Sequence, residues 1–298
     1  MMYHNPVLLK ESIDGLNIKP DGIYVDVTFG GGGHSKEILS RLNTYGKLFA
    51  FDQDEDAKQN SIDDERFTLI PQNFRYIKRY LRFYGVRKVD GVLADLGVSS
   101  HQFDKAERGF STRFDADLDM RMNQSGKLSA FEVVNFYDEQ KLSDVLFQYG
   151  ELRNARAIAK KIVETRTEQK IKTSFELKQI LSEFVPKAVE HKIFAQIFQG
   201  IRIEVNQEIE ALKEFLLQIP EILNEEGRLS VIAYHSLEDR LVKRFIRNGL
   251  FEGEQEKDFF GNITVPMKKV GKMIIPTLQE IKENNRARSA KLRIATLK

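Results

Sequence analysis

Three carboxylates stand at the ends of apolar runs in the first third of the chain. Asp26 follows Ile23-Tyr24-Val25, Asp52 follows Leu48-Phe49-Ala50-Phe51, and Asp95 follows Val92-Leu93-Ala94. After Asp26 come Val27-Thr28-Phe29, four glycines from Gly30 to Gly33, and His34. A strand, a glycine-rich turn and a helix cradle an adenosine-type ligand. Glycine permits sharp turns and close approach, and the first N–H groups of the helix are free to bind. The turn lacks the Gly-Lys-Ser/Thr ending of a phosphate-binding loop and is not a clean G-x-G-x-x-G. Asp52, at the tip of the second strand, is placed to bond both hydroxyls of a ribose. Asp54 and Asp56 suit the start of a helix. A dinucleotide would bring a pyrophosphate to the helix start, whereas S-adenosylmethionine brings a sulfonium and an amino acid. Carboxylates at Asp26 and Asp95 favour the cationic ligand and leave the dinucleotide open.

In open α/β sheets, ligands sit beyond the carboxyl ends of the strands. Asp95, followed by the small-residue loop Leu96-Gly97-Val98-Ser99-Ser100, is therefore a candidate reaction centre. The alternative is a cap for the turn that follows. His235, just after a later strand, is a second candidate. It can touch substrate or shuttle a proton, or it can cap the next helix with Ser236. Five scattered histidines and no cysteine offer no recognisable metal set, so no metal is expected.

The elements that must position these residues are legible as alternating signals. Strands are expected at Ile23 to Val27, Lys47 to Phe51, Phe67 to Ile70 and Val89 to Ala94, with helices at Ser35 to Leu42 and Asp54 to Ser61 between them. Such alternation implies a parallel sheet with helices on both faces. From Phe110 to Ile203 no strand is evident. Leu152, Ala155, Ala159, Ile162 and Val163 recur at helical spacing, as do Phe175, Leu177, Ile180, Leu181 and Phe184, and then Ile193, Phe194, Ile197, Phe198 and Ile201. This block reads as an inserted helical domain, residues 111–204, within a core of residues 1–110 and 205–298. A helix from Gln207 to Leu223, closed by Gly227, leads into a strand at Leu229 to Tyr234. Lys291 to Leu297 is a last strand, paired with Met273 to Ile275 as an antiparallel edge.

The chain's 298 residues allow one large domain or two smaller ones. The absence of cysteine excludes disulfides, thiolate metal sites and a cysteine nucleophile. Val7-Leu8-Leu9, followed by Lys10 and Glu11, is too short for a signal-peptide core. No apolar run approaches the ~20 residues of a membrane span, so a cytoplasmic protein is expected. The 46 basic and 44 acidic residues nearly cancel, which makes clustering more informative than the sum. Residues 75–88 carry six cations, four aromatics and no acid. That composition suits phosphates and unpaired bases, or else an amphipathic helix with a solvated basic face. Arg286, Arg288, Lys291 and Arg293 form a second basic group. Lys160, Lys161, Arg166, Lys170 and Lys172 form a third.

Several long motifs carry a resemblance to a known family. They are His4-Asn5-Pro6-Val7-Leu8-Leu9, Gly32-Gly33-His34-Ser35, Asp95-Leu96-Gly97-Val98-Ser99-Ser100, Glu107-Arg108-Gly109-Phe110-Ser111, Leu118-Asp119-Met120-Arg121-Met122, Tyr149-Gly150-Glu151, His235-Ser236-Leu237-Glu238-Asp239-Arg240 and Arg286-Ala287-Arg288-Ser289. In this order they resemble the bacterial 16S ribosomal RNA (cytosine-N4)-methyltransferase family, which uses S-adenosylmethionine. The resemblance implies an α/β, Rossmann-like class I methyltransferase sheet with an inserted all-helical domain for substrate recognition. It implies cofactor contacts from Gly32, Gly33, His34, Asp52, Phe74, Asp95 and Gln102. The implied partner is 16S ribosomal RNA in the small ribosomal subunit; a homodimer is among the assemblies the sequence allows. Two positions depart from the family pattern: Leu152 follows Tyr149-Gly150-Glu151, and Asn284-Asn285 precedes the Arg286 run.

A cytosine amine is a poor nucleophile, because its lone pair is delocalised into the ring. A carboxylate or carbonyl that accepts its hydrogen bonds beside a methyl donor makes it better, and in-line placement supplies much of the rate. Asp95 and the carbonyl of Leu96 are the candidates. No aromatic follows Asp95 closely, so Phe103, Phe110 or an insert residue would have to stack on a base, which must be unpaired or flipped out. The competing readings are a Rossmann oxidoreductase, a DNA amine methyltransferase, and a non-catalytic RNA-binding protein.

Overall fold

Alternation within the buried runs sets the layers. In β1 (Ile23–Asp26), Tyr24 packs with Ile13, Leu16, Ile38 and Leu48, while Val25 joins a cluster on the other face with Phe49, Phe51, Val92 and Phe215. The strand is therefore covered on both sides, as parallel sheets are. The computed structural model describes residues 6–253 and 265–298. His4 and Asn5 of the first motif lie outside the described residues.

The remaining strands are β2 (Lys47–Phe51), β3 (Phe67–Ile70), β4 (Val89–Asp95), β5 (Leu223–Ala233), β6 (Met267–Ile274) and β7 (Lys291–Leu297). They form one seven-stranded sheet in the order β3-β2-β1-β4-β5-β7-β6. Strands β1 to β5 are parallel, and β7 runs antiparallel to both β5 and β6. This is the α/β, Rossmann-like parallel sheet expected, with an antiparallel edge. Strand order reverses between β1 and β4, so the crevice that such sheets use for ligands opens beyond Asp26 and Asp95. Helices Leu9–Leu16 and Gly33–Arg41 cover one face. Helices Ile77–Phe83, Glu208–Ile222 and Ser236–Asn248 cover the other. Among the described residues no helix is long and apolar enough to cross a membrane.

Four local expectations are corrected. The segment after Asp54 is a short 3-10 helix, Glu55–Asn60, because only Ala57 gives it a buried side chain. The helix after Gly32 begins at Gly33 rather than Ser35. Gly227 does not close a helix: Glu208–Ile222 passes directly into β5, whose register slips between Val89 and Gly91 of β4 while Glu226 takes φ 60°. The partner of β7 is longer than Met273 to Ile275, beginning at Met267 and ending at Ile274. Its Lys268, Lys269 and Lys272 are exposed, and charge of this kind protects an edge strand from pairing with other chains.

The chain divides into two compact units, Met1–Gly97 with Ile209–Lys298, and Val98–Glu208. The second contains only helices and an isolated bridge between Asp117 and Thr173. Its core gathers Leu142, Leu146, Ile158, Ile162, Leu177, Phe194, Ile197 and Ile201. Phe175, expected on the apolar face, is instead 43% exposed. Two glycines decide how closely helices Glu139–Gln148 and Glu190–Asn206 approach. A Cβ on Gly200 would meet the Gly150 nitrogen at 3.0 Å, and one on Gly150 would meet the Leu146 and Gln196 carbonyl oxygens at 2.6 and 2.9 Å. The Tyr149 carbonyl there accepts from Gln199 Nε2 at 2.9 Å. The Tyr149-Gly150-Glu151 motif is thus a helix end built for a backbone-to-backbone contact. Gly200→Val should destabilise the protein by about 1–3 kcal/mol through overpacking, read as a lower denaturant midpoint with an unchanged slope.

Candidate active site

The glycine loop is held from several sides, all within the sheet unit. The Asp26 carboxylate is almost wholly buried, with 1% exposure. Its Oδ2 accepts from Ser35 Oγ at 2.7 Å and its Oδ1 from the Thr28 amide at 3.1 Å. It therefore ties the end of β1 to the first turn of the following helix. Gly30 donates its amide to Asp52 Oδ2 at 2.8 Å, and its carbonyl accepts from Asn60 Nδ2 at 2.9 Å. Gly32 sits at φ +76°, where a side chain is strained. A Cβ on Gly33 would meet the Pro6 ring at 2.2 Å.

That contact explains the N-terminal motif. Pro6 and Val7 lie against the glycine loop, and His34 Nε2 reaches the Val7 carbonyl at 3.2 Å. A carbonyl only accepts, so Nε2 carries the proton and Nδ1 turns toward Asp95 Oδ2, 3.9 Å away. The Leu8 amide is held by Glu280 Oε1 at 2.7 Å.

Asp95 ends β4 beside this loop. Its amide donates to Thr28 Oγ1 at 2.6 Å, and its Oδ1 accepts from the Tyr234 hydroxyl at 2.7 Å. Tyr234, absent from the sequence reading of the site, follows β5, whose Ile232 is the register partner of Asp95. A phenol one strand over, just past the same edge, was the available signal. Its amide donates to the buried carboxylate of Glu238 at 2.9 Å.

His235 is placed as a cap. Its Nδ1 accepts from the Glu238 amide at 3.5 Å, and the Glu238 side chain returns a bond to the His235 amide. Helix Ser236–Asn248 starts on this box, and His235 Nε2 lies 3.1 Å from Glu238 Oε1. Phe74 is half-buried and packs edge-on against Phe215, with ring centroids 5.3 Å apart.

Gln102 belongs to the helical unit. There its Oε1 accepts from the Ser99 amide at 3.0 Å, completing a capping box for the helix that begins at Ser100. Phe110, offered as a stacking partner, is 4% exposed and joins the helical core under the Arg108 guanidinium. Phe103 packs partly buried against the same core. The structure thus brings Gly32, Gly33, His34, Asp52 and Asp95 around one loop, with His235 on the neighbouring helix start. It assigns Phe110 to packing.

Burial dominates the electrostatics. It pushes the Asp52 and Asp95 carboxyls up to about 6, and Asp26 and Asp54 add repulsion at Asp52. Asp26 and Glu238 do the same at Asp95, against the opposing pull of His34 and the Tyr234 hydrogen bond. Burial raises Asp26 as well. Tyr234 is raised far above an ordinary phenol, first by burial and then by Asp95. Three crowded carboxylates, two of them half-protonated near pH 6, form a donor set suited to a cationic ligand and poorly suited to a pyrophosphate. Asp52 has both oxygens engaged by backbone amides, Gly30 and Asp54, yet a carboxylate has about four lone-pair sites, so two remain for a ribose diol.

The basic groups divide between structure and surface. Arg293 and Lys291 pair with Asp239 at 2.7 and 3.6 Å. Lys161 pairs with Glu183 at 2.7 Å, and Lys160 with Glu164 at 3.7 Å. Arg166 donates to the carbonyls of Val134 and Tyr137, and Lys170 to that of Asn135. Arg166 and Lys170 therefore cap the end of helix Ala130–Phe136 and do not stand free for a phosphate.

The raised Asp95 makes a signed prediction. Folding takes up a proton here between about pH 4, the unfolded range, and about 6. The stability from protonated Asp95 is therefore full below pH 4 and lost as pH rises through 6. Asp95→Asn removes that loss. Relative to the parent, the variant should gain about 2 kcal/mol between pH 4.5 and 7.5. Urea titrations of both proteins at the two pH values would measure it, and a gain that does not change with pH would refute the placement.

Comparison with known proteins agrees over the full length. Residues 1–298 match the MraW methylase family. The chain is 68% identical over 295 residues to "Ribosomal RNA small subunit methyltransferase H" of Flavobacterium johnsoniae, covering 99% of this chain and 98% of that one. It is 69% identical over 291 residues to the protein of that name from Flavobacterium psychrophilum, covering 98% and 100%. With the Bacteroides fragilis protein (strain ATCC 25285) it shares 56% over 297 residues, covering 99% and 98%.

Proposed function

Because the chain belongs to the MraW methylase family, we propose that it methylates the N4 amine of a cytosine in the decoding region of 16S ribosomal RNA. It is a methyltransferase, and S-adenosylmethionine is its cofactor. When bound, the cofactor supplies an electrophilic methyl group on a sulfonium. The observation that carries the reading for this chain is the cluster of Asp26, Asp52 and Asp95 around a glycine turn, raised by burial and short of positive charge.

In this reading Gly32, Gly33 and His34 shape the loop that holds the cofactor. Asp52 takes the ribose, and Phe74 offers a face to the adenine. Asp95 accepts a hydrogen bond from the cytosine amine through the oxygen that Tyr234 leaves open. With the methyl group supplied by the cofactor, the proton that the amine must lose would pass to Asp95 or to solvent. Tyr234 holds the Asp95 carboxylate in one orientation. Together with Glu238, His235 starts the helix that positions Tyr234. Gln102 is retained as a cofactor contact, and the helical unit serves substrate recognition. The site of action is the small ribosomal subunit in the cytoplasm, and a homodimer is compatible with this role.

The test is direct. Labelled S-adenosylmethionine is incubated with small subunits that lack the modification, and the product nucleoside is identified by mass spectrometry. N4-methylcytidine at a single position is expected; transfer to another base or to protein would overturn the reading. In the same assay Asp95→Ala should lower kcat by at least ~100-fold, in the range of lost general-base catalysis.

Tyr234→Phe should act differently. It removes one hydrogen bond that stabilises the Asp95 carboxylate, so the acidic limb of the pH–rate profile should move to higher pH. The rate at pH 8 should fall only about 3–10-fold, the worth of one hydrogen bond. An unmoved acidic limb would remove Tyr234 from this role.

A further inference from the structure

The basic, aromatic stretch at residues 75–88 separates into two faces. One is structural. Arg75 makes a bidentate pair with Glu214, Lys78 pairs with Glu221, and Gln218 bonds the backbone of both Arg75 and Lys78. Ile77 and Leu81 are fully buried, and Tyr80 packs edge-on against Phe51. These contacts fix helix Ile77–Phe83 on the sheet and on helix Glu208–Ile222, so half of the stretch is accounted for by packing.

The other face points to water. Phe83 is 79% exposed, Tyr76 44% and Tyr84 43%. Arg79, Arg82 and Arg87 are exposed with them, and no ion pair is formed by these three among the described residues. Tyr76, Arg79 and Phe83 follow one another at helical spacing along one stripe, with Arg82 beside it. The Phe83 and Tyr84 rings meet edge to face at 5.2 Å. One exposed phenylalanine is ordinary. A phenylalanine and two tyrosines set among three arginines combine flat stacking surfaces with positive charge. Single-stranded RNA presents the complementary features, unpaired bases and regularly spaced phosphates.

The position matters as much as the composition. Arg87 lies just before β4, and Asp95 ends that strand. Seven residues of strand at ~3.3 Å each place the patch on the order of 20 Å from the reaction centre, at the opposite end of the sheet. We infer that this face is an accessory RNA-docking surface. An unpaired segment of the substrate stacks on Phe83 and Tyr84 while Arg79, Arg82 and Arg87 hold its phosphates. The inference rests on the ribosomal RNA reading above and adds a second point of contact to it.

Phe83→Ala and the double variant Arg82→Glu/Arg87→Glu test it, since neither touches the cofactor loop. With unmodified small subunits, each should raise KM about tenfold and leave kcat unchanged. Affinity for S-adenosylmethionine should not move, and Phe83→Trp should restore KM. Two lost phosphate contacts should lower the slope of log affinity against log salt by about 1.4 for single-stranded RNA. The same slope is read by filter binding to protein-free 16S RNA, without turnover. Active variants with parental KM and salt slope would overturn the surface and leave the reaction intact. Weakened binding to subunits alone, with protein-free RNA bound normally, would assign the face to a ribosomal protein and also overturn it. Should the parent bind the RNA through this face yet transfer no methyl group, the reaction would fall and the surface would stand.

Discussion

A carboxylate with almost no contact with water closes the first strand, and the functional end of the sheet is arranged around it. Burying a charge without a partner is costly, and Asp26 is met by the Ser35 hydroxyl, the Thr28 amide and, at 3.5 Å, the Thr28 hydroxyl. Those bonds fix the loop between β1 and its helix. Once Thr28 is fixed, its hydroxyl receives the Asp95 amide, so β4 ends in register with the loop. Asp95 then holds the Tyr234 hydroxyl beyond β5, and Tyr234 donates its amide to Glu238 on the next helix. Three strand ends and two helix starts are thereby coupled through one short chain of hydrogen bonds. Such a network rigidifies a site when every member is satisfied and is expensive when one is not.

Much of this was legible in the sequence because it is local. A strand that ends in a carboxylate and runs into glycines needs no tertiary knowledge to read, and the parallel order follows from alternating signals. What was not legible is non-local. Tyr234 looked like the last residue of a strand, and only the register of β5 against β4 brings its hydroxyl to Asp95. Phe110 looked available because an aromatic in a glycine- and serine-containing segment carries no period, yet the helical core takes it up. The excursion in β5 escaped because Gly227 has the chemistry of a helix stop, while pairing with β4 drew Leu223 into the sheet directly. Pro6 and Val7 show the converse. Their packing on Gly33 and His34 gives a physical reason for a motif that was known only by resemblance.

Cations mislead in the same non-local way. Fourteen consecutive residues with six positive charges resemble one surface, but the charges serve two purposes according to which neighbours fold over them. Arg75 and Lys78 face the acidic side of helix Glu208–Ile222 and are spent there. Lys291 and Arg293 meet Asp239 from a helix more than fifty residues earlier in the chain. A near-neutral chain can thus carry basic motifs whose cations are partly taken up within the fold, so recognition of a polyanion depends on which cations remain unpaired after folding, and the composition alone does not reveal which those are.

The proton balance of methyl transfer gives the crowded carboxylates a further consequence. A bound sulfonium cofactor would place a positive charge beside these carboxylates, and its neutral product would not, while the amine would have a proton to lose. Asp95, already near 6 through burial, is held more strongly ionised while a cation is close and recovers its proton affinity when that charge disappears. In the reading proposed above, the carboxylate would accept hydrogen bonds as an anion during the attack and become a better base as the proton is released. A solvent-exposed aspartate, near its ordinary value in both states, would lack the second property. The burial that weakens the fold at neutral pH would, in that reading, be the feature that suits Asp95 to its place at the end of β4.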